Sequence, residues 1–600
     1  MDSRHSFFRS RSDTFHSRSL YINRRLKLLA FLRVLVFVIS LVAILIFANN
    51  SNLIGIILVA VGFLPVFSIL VKWYNNAQYR MNHNRFLSRI NEEELLRLDG
   101  TLEGFDPGIE YIDSNHAYHN DLDIFGNNSV YQLINRCSTS WGKQTLSSWL
   151  SSKASREEIM ARQHSVKELA NKIEWIQEFQ ATGLHYENKS DIGNFLKWLG
   201  SGQQVSTRPV YNIVRFLGPV IMMTLLTLII LSTITFHWII LGVLINALTI
   251  MDALSKVKNI HENTSEALKT LKSLEQLIVL TENMSFESEK LRHLQSVYLE
   301  GRKKVSKRIK ELNVILQNLD NRTNQIYHLF NIVFLLDLHY AYQAEKWKEK
   351  QKHHTESWFK TIGEMEGLIS LAGMAFANPS YNFPVILEGS HRFKAENMGH
   401  PLIPGVSRVS NSFSISGRGS IAMITGSNMA GKSTFLRTVG VNMVLAYAGS
   451  VVCANTCSLT IAQVFSSMRT QDNLEENISS FYAELNRIQA LLGITSEQMP
   501  VFFLLDEILK GTNSHDRHLG AVSLVRQLAS ENTSGLISTH DIDLAREATN
   551  GAHVTNFSFN STIKGDEIHF DYRLSQGICN SFNASTLMQK MGIKIIEPPL

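Results

Sequence analysis

The stretch Ile421–Thr438, IAMITGSNMAGKSTFLRT, constrains the fold of this chain more than any other. A short β-type run, Ile421–Ile424, leads through Thr425 into Gly426, Ser427, Asn428, Met429, Ala430, Gly431, Lys432 and Ser433, and Thr434 follows. This order fits G-x-x-x-x-G-K-[ST]. Gly426 and Gly431 let the backbone curl so that its N–H groups point inward at phosphate oxygens. The helix that follows offers its positive end to the same anion. Lys432 is suited to reach the β- and γ-phosphates, and Ser433 to give a hydroxyl to Mg²⁺. The spacing predicts a strand–loop–helix unit over these residues that binds a nucleoside triphosphate.

The reaction is set by residues further along. Val501–Leu505 is a continuous apolar run, as expected of a parallel strand buried on both faces. It delivers Asp506 and Glu507 at its C-terminal end, where open α/β sheets place their ligands. Asp506 is suited to hold Mg²⁺, directly or through water, and Glu507 to orient and deprotonate an attacking water. A third strand, Gly535–Thr539, ends at His540, which is placed to contact the γ-phosphate. The expected catalytic set is therefore Lys432, Glu507 and His540, with Ser433 and Asp506 on the metal.

Two apolar runs near the N-terminus, about Leu28–Phe47 and Leu53–Val71, are each long enough for a hydrocarbon core needing about 20 residues. The short polar link Asn49–Asn52 joins them into a transmembrane hairpin. A second apolar block, Phe216–Met251, is broken at Ser232–His237 and reads as a second hairpin whose latter arm is short. Lys and Arg flank both blocks, which by the positive-inside rule places the flanks in the cytoplasm and the chain in a cell inner membrane as a multi-pass protein. Residues 1–27 are Arg/Ser-rich and read as a disordered cytoplasmic tail. Seven basic residues against two acidic ones in that tail account for the whole net charge of +5. The rest of the chain is charge-balanced, so the basic isoelectric point says nothing of a body-wide field for nucleic acid. The densest later basic cluster, Gly301–Lys310, reads as a solvated helix face. Four cysteines in 600 residues make no disulfide framework, and Cys453 and Cys457 lack a second pair at metal spacing, so zinc is not expected.

The chain resembles the C-terminal ATPase of the MutS DNA mismatch-repair proteins, within the ABC-type ATPases. The likeness lies in Thr425–Arg437, in Asp472 with Ser479-Ser480-Phe481-x-x-Glu484, in Leu504–Asp516, in Ser538–Asp541 and in Tyr572–Leu574 with Gly577 and Ser581. Gly399–Pro401 resembles the entry to that module, Asp121–Leu150 the opening of the family's helical core, and Glu364–Ala375 the return to the ATPase. The resemblance implies an α/β P-loop ATPase of the MutS/ABC type preceded by an all-α core and lever region, into which the apolar runs place two membrane hairpins. Taken with the tail and the apolar runs, it gives the divisions 1–27 tail, 28–71 first hairpin, 72–118 linker, 119–210 helical core, 211–251 second hairpin, 252–375 lever and 376–600 ATPase, the hairpins being foreign to the family's soluble members. It further implies a head-to-tail homodimer with ATP and Mg²⁺ at the interface. Ser479 and Ser480 would reach the partner's γ-phosphate, Asn513–Asp516 would line the seam, and DNA would lie in the helical arms.

The departures bear on function. Membrane spans stand where the family's mismatch-reading domain would be, and no Phe-x-Glu triplet, the family's mismatch wedge, occurs. Ser427 and Ala430 replace a Pro and a Gly of the family's loop, and Leu509-Lys510 replaces Gly-Arg. The expected function is a membrane-anchored MutS-like ATPase that drives a DNA clamp. The alternatives are a nucleotide-gated membrane scaffold that binds no DNA and an ABC-type transporter, although the Ser-Gly-Gly signature of ABC transporters is absent before Asp506.

Overall fold

The computed structural model describes residues 3–185, 193–427, 429–469, 480–495, 499–510, 512–549, 553–564 and 567–579. The chain begins with two antiparallel helices, α1 (Ser3–Asn49) and α2 (Leu53–Leu98). Their turn is closed by Asn52, whose side chain accepts the Gly55 N–H at 2.9 Å. Helices α3 (Val130–Ile134), α4 (Ser140–Ser151), α5 (Arg156–Ala170), α6 (Ile173–Leu184) and α7 (Gly193–Gly200) form the first part of the helical core. A second apolar pair, α8 (Pro209–Ile230) and α9 (His237–Thr264), interrupts it. Then come α10 (Ala267–Asn283), α11 (Glu289–Leu299), α12 (Val305–Asp320), α13 (Gln325–Phe334) and the 42-residue α14 (Leu336–Ala377).

Among the described residues, α1, α2, α8 and α9 are long and apolar enough to cross a membrane. Large side chains such as Phe31, Leu45, Ile54, Leu58, Val220 and Leu248 stand exposed along them. Apolar area of that extent is tolerated in a lipid-facing surface and not in a water-facing one. The second arm of the second pair is longer than its apolar block suggests, because α9 is 28 residues long and continues past Met251 to Thr264 in the helical core.

The expectation of a disordered tail over 1–27 is corrected: Ser3–Lys27 is the first half of α1 and is docked. Phe8, Ser12, Phe15, Ser19, Ile22 and Leu26 recur at alternating steps of four and three, a seam for a partner helix. Phe8 is wholly buried, packed edge-on against Phe7 and Phe376. Arg4 lies 3.8 Å over the Phe376 ring, and Ser12 bonds Ser88 and Glu92 at 2.9 Å each. Likewise the expected linker 72–118 is not a linker throughout, since α2 runs to Leu98 and packs on α6.

Helix α14, about 63 Å long at 1.5 Å per residue, is packed on α4, α5, α11 and α12. Its buried charges close two loops packed against it. Glu345 accepts N–H bonds from Gln204, Val205 and Ser206 at 2.7–3.0 Å. Lys348 donates to the carbonyls of Trp198, Ser201 and Gly202. Glu366 takes the Ser138 N–H at 2.8 Å and bonds the Thr139 hydroxyl at the start of α4. The region 252–352 is helical as expected, but α13 is an apolar break within it.

From Val385 the chain is α/β. Strands β1 (Val385–Leu387), β2 (Arg392–Met398), β3 (Asn411–Ser416) and β5 (Thr456–Thr460) form a small sheet. The main sheet has the order β10-β9-β4-β8-β7-β6. It is built from β4 (Ile421–Gly426), β6 (Gln463–Ser467), β7 (Val501–Asp506), β8 (Thr533–Thr539), β9 (Val554–Lys564) and β10 (Glu567–Gln576). All its pairings are parallel except β9–β10. Helix α15 (Lys432–Ala448) covers one face; α16 (Ser480–Thr495), α17 (Ser514–Ser530) and α18 (Ile542–Thr549) belong to the other. Successive strand residues serve the two cores in turn. Ala422, Ile424, Phe502, Leu504 and Leu536 join the core shared with the helical region, while Ile421, Met423, Phe503, Leu505 and Ile537 join the second.

Replacing Phe8 by Ala removes the ring that seats α1 and is expected to cost about 3 kcal/mol of docking. Trypsin should then cut at Arg9 and Arg11 in the detergent-solubilised variant while the parent chain stays protected.

Candidate nucleotide site

The parallel sheet brings β4, β7 and β8 side by side, so their C-terminal ends share one edge. At the end of β4 the chain turns sharply. A Cβ at Gly426 would stand 2.8 Å from the Phe559 carbonyl, so only glycine allows that approach. Gly431 precedes α15 with φ 102° and gives the helix no side-chain cap. The first-turn N–H groups of α15 are therefore left for an anion. Lys432 is buried and donates to the Gly426 and Ser427 carbonyls at 2.9 and 3.1 Å. Burial pulls its pKa down, and the nearby Glu507 and Asp506 carboxylates oppose that pull. Met429 is exposed at the tip of the loop with φ 68°, Ala430 is buried beneath it, and Ser433 and Thr434 open α15. Asn428 lies outside the described residues.

Asp506 ends β7 and accepts a hydrogen bond from the Ser538 hydroxyl on β8. Glu507 follows in the left-handed region (φ 53°), its N–H donating to the Ser538 carbonyl at 3.0 Å. Its carboxylate stands 3.2 Å from His540 Nδ1 and 2.8 Å from Lys510 Nζ. Burial lowers the His540 pKa, partly offset by Glu507. Met429, Glu507, Leu509 and Tyr572, all non-glycine, have positive φ around this edge. Such strain persists where the surroundings over-determine the backbone.

At Leu509 the backbone is held by Glu484, a residue of the family likeness for which the sequence predicts no contact. From α16 its buried carboxylate accepts the Leu509 N–H and, at 3.1 Å, the Lys510 N–H. A glutamate four residues into a helix carries no signal that it will seize a loop 25 residues away. Asp541 accepts the Leu544 N–H at 3.0 Å, and Asn513 accepts the Asp516 N–H at 2.9 Å to cap α17. Of the remaining expected contacts, Asp472, Ser479 and Ser581 lie outside the described residues, and Ser480 is described only as the first residue of α16. The structure thus gathers Gly426, Ser427, Gly431, Lys432, Asp506, Glu507 and His540 at one edge.

Beside the loop is a cavity of about 420 Å³ lined by Met398, His400, Val409, Asn411, Phe435 and Tyr572, among others. A larger cleft between α4, α7 and α14 holds none of the site residues. Among the described residues no group of three His, Cys, Asp or Glu is arranged for a metal. A Mg²⁺ shared with phosphates needs no such cage, only one or two protein oxygens and water. The Ser433 hydroxyl and the Asp506 carboxylate suit it in donor chemistry. Cys453 is buried against Arg408, and Cys457 sits on β5.

This arrangement defines an α/β fold of the P-loop ATPase class, preceded by an all-α region with two apolar helix pairs. Residues 422–593 match the family model for MutS domain V. The DNA mismatch repair protein MutS of Thermotoga neapolitana is 28% identical over 235 residues, 39% of this chain and 29% of that protein. Its counterpart in Ehrlichia ruminantium is 33% identical over 189 residues, 31% and 23% of the two chains. MutS protein homolog 4 of Mus musculus is 30% identical over 194 residues, 31% and 20%. The chain spans less than a third of the length of these curated relatives. Its C-terminal module is distantly homologous to the MutS ATPase domain.

His400, on the cavity wall, has its pKa pulled down to about 4 by burial. Below its ordinary 6.5 the unfolded chain binds a proton that the folded chain refuses until about pH 4. This group therefore lowers stability as pH falls through that window, by up to about 1.4 kcal/mol per pH unit. The unfolding midpoint of a His400→Asn variant should fall less steeply than that of the parent between those pH values in a thermal scan.

Proposed function

We propose that this protein is a membrane-anchored MutS-like ATPase that binds ATP with Mg²⁺ between two head-to-tail copies and hydrolyses it to move its helical arms on DNA. The convergence of Lys432, Asp506, Glu507 and His540 on one sheet edge carries this reading. The uncapped start of α15 and the N–H groups of Gly426–Thr434 bind the phosphates, and Lys432 exchanges its carbonyl partners for phosphate oxygens. Ser433 and Asp506 would hold Mg²⁺, which would supply charge neutralisation to the phosphates. Glu507 orients the attacking water and takes its proton, for which its carboxylate must be released by Lys510. His540 contacts the γ-phosphate and holds Glu507 in place. The cavity beside Met398, His400 and Tyr572 is of a size and apolar character suited to a nucleoside base. Ser479 and Ser480 reach the partner copy's γ-phosphate, and Asn513–Asp516 lie along the seam.

The exposed Arg24, Arg25 and Lys27 on α1 and Lys72 on α2 support a cytoplasmic placement of the ATPase, in an inner membrane. The scaffold reading without DNA is favoured by one observation. In the Gly301–Lys310 cluster, Arg308 bonds the Glu300 and Lys303 carbonyls and Lys303 pairs with Glu311, so those cations already have partners.

Glu507→Gln should bind ATP with little change and lose turnover by at least about 100-fold, the usual share of a general base. Unchanged turnover would remove Glu507 from the mechanism. Duplex DNA titrated at two salt concentrations should bind in an ATP-dependent manner, and more weakly at the higher salt. Normal turnover with no DNA binding would establish the scaffold reading instead.

A further inference from the structure

The helices that carry the second apolar pair hold a third element against it. Helix α13 packs on both α8 and α9, and α14 begins immediately after it. Between them Leu335 takes a left-handed conformation, φ 50°, that breaks the helix without a glycine. The depth of this break can be read from α8 and α9. Their cytoplasmic ends carry a polar collar, in which Asp252 bonds the Tyr211 hydroxyl and lies 3.8 Å from Arg208 and 3.9 Å from Lys256. Asn246 lies six residues beyond that collar and Gly218 seven, about 9–10 Å at 1.5 Å per residue. Both touch the break: Asn246 Nδ2 donates to the Ile332 carbonyl at 2.8 Å, and a Cβ on Gly218 would collide with Leu335.

Two helix ends meet at Leu335, and their open carbonyls and N–H groups would take water if water were present. Here side chains serve them. Asn246 serves the last turn of α13, and Asn331, itself buried, accepts the Asp337 N–H at 2.9 Å at the start of α14. Asp337 is buried too, bonded by the Tyr327 hydroxyl at 2.9 Å and 3.1 Å from Arg322. Non-helical backbone at membrane depth survives only with this kind of internal satisfaction, and ionisable groups there face inward in pairs. The opposite face of α13 is open and, beyond the exposed Gln325 and His328 at its start, apolar: Leu329, Phe330 and Phe334 are 69%, 54% and 36% exposed. It continues the open apolar surface of Phe216, Val220, Leu248 and Met251 on α8 and α9.

We infer that Gln325–Leu338 is a re-entrant membrane element, in which α13 and the first turn of α14 enter the bilayer beside α8 and α9 and the exposed face of α13 contacts lipid acyl chains. The inference rests on the reading of α8 and α9 as a membrane hairpin. It makes the base of the long helix α14 part of the membrane domain. The chain leaves the bilayer past His339 and Tyr342, which pack on Phe216 and Arg215.

The test uses the full chain in lipid nanodiscs with an environment-sensitive fluorophore on a single introduced cysteine. The parent protein serves as the labelling blank, since its thiols are buried or half-buried. Phe330→Cys should give blue-shifted emission, quenched by doxyl-labelled phosphatidylcholine and insensitive to aqueous iodide, as should Leu248→Cys on α9. Lys303→Cys on the soluble surface should behave in the opposite way. Iodide quenching at Phe330 with lipid quenching at Leu248 overturns the re-entrant element alone. Shielding of Phe330 from both quenchers, as a second copy seated on α13 would produce, overturns it as well. Iodide quenching at both positions overturns the hairpin reading and the inference together.

Discussion

The structure hangs on α14 and on the buried charges that fix its neighbours to it. A carboxylate without partners in a protein interior is costly. Glu345 and Glu366 avoid that cost by accepting several N–H and O–H bonds from loops that would otherwise have unpaired donors. Lys348, one turn beyond Glu345 on the same face, does the same for the carbonyls of Trp198, Ser201 and Gly202. Loop and helix each satisfy the other, so neither can move alone. Through these contacts one rod links α8 and α9 at its first turns with Phe376, against which Arg4 and Phe7 of α1 are packed at its far end. The two apolar helix pairs are thereby tied to opposite ends of the element that leads into the ATPase module.

At the sheet edge the same logic works on a smaller scale. Three parallel strands end together, and the loop leaving β7 is held in left-handed conformations at Glu507 and Leu509 by a carbonyl and a carboxylate of neighbouring elements. Glu484 grips the two N–H groups after Ile508, while the Ser538 carbonyl takes the Glu507 N–H. The acidic pair is positioned by these bonds rather than by its own backbone preference. In this state Lys510 occupies one Glu507 oxygen, a contact made available by the Leu509-Lys510 sequence.

The sequence was most legible where a chemical demand coincides with a local pattern. A phosphate loop needs two glycines and a lysine at set intervals, and a doubly buried strand needs an unbroken apolar run; both lie within a few residues and survive tertiary context. In residues 3–27 the Arg/Ser-rich composition suggests disorder, whereas the seam from Phe8 to Leu26 needs only one position in three or four to be apolar or small. Helix α13 escaped notice for the opposite reason, being too short for a span and placed in a charged region. The bond from Glu484 to the loop after β7 had no sequence signature, since it depends on the approach of α16 to that strand's end.

The sequence by itself determined the fold class, the strand–loop–helix unit, the acidic pair at the end of its strand and the two apolar pairs, because each follows from spacing, charge and length along the chain. Tertiary structure alone decided that the basic N-terminus is a docked helix, that Glu484 sets the loop beside Glu507, and that α13 lies against α8 and α9. These depend on which surfaces meet, and a linear pattern cannot encode the partner that satisfies a buried carboxylate, an orphan carbonyl or an open apolar face.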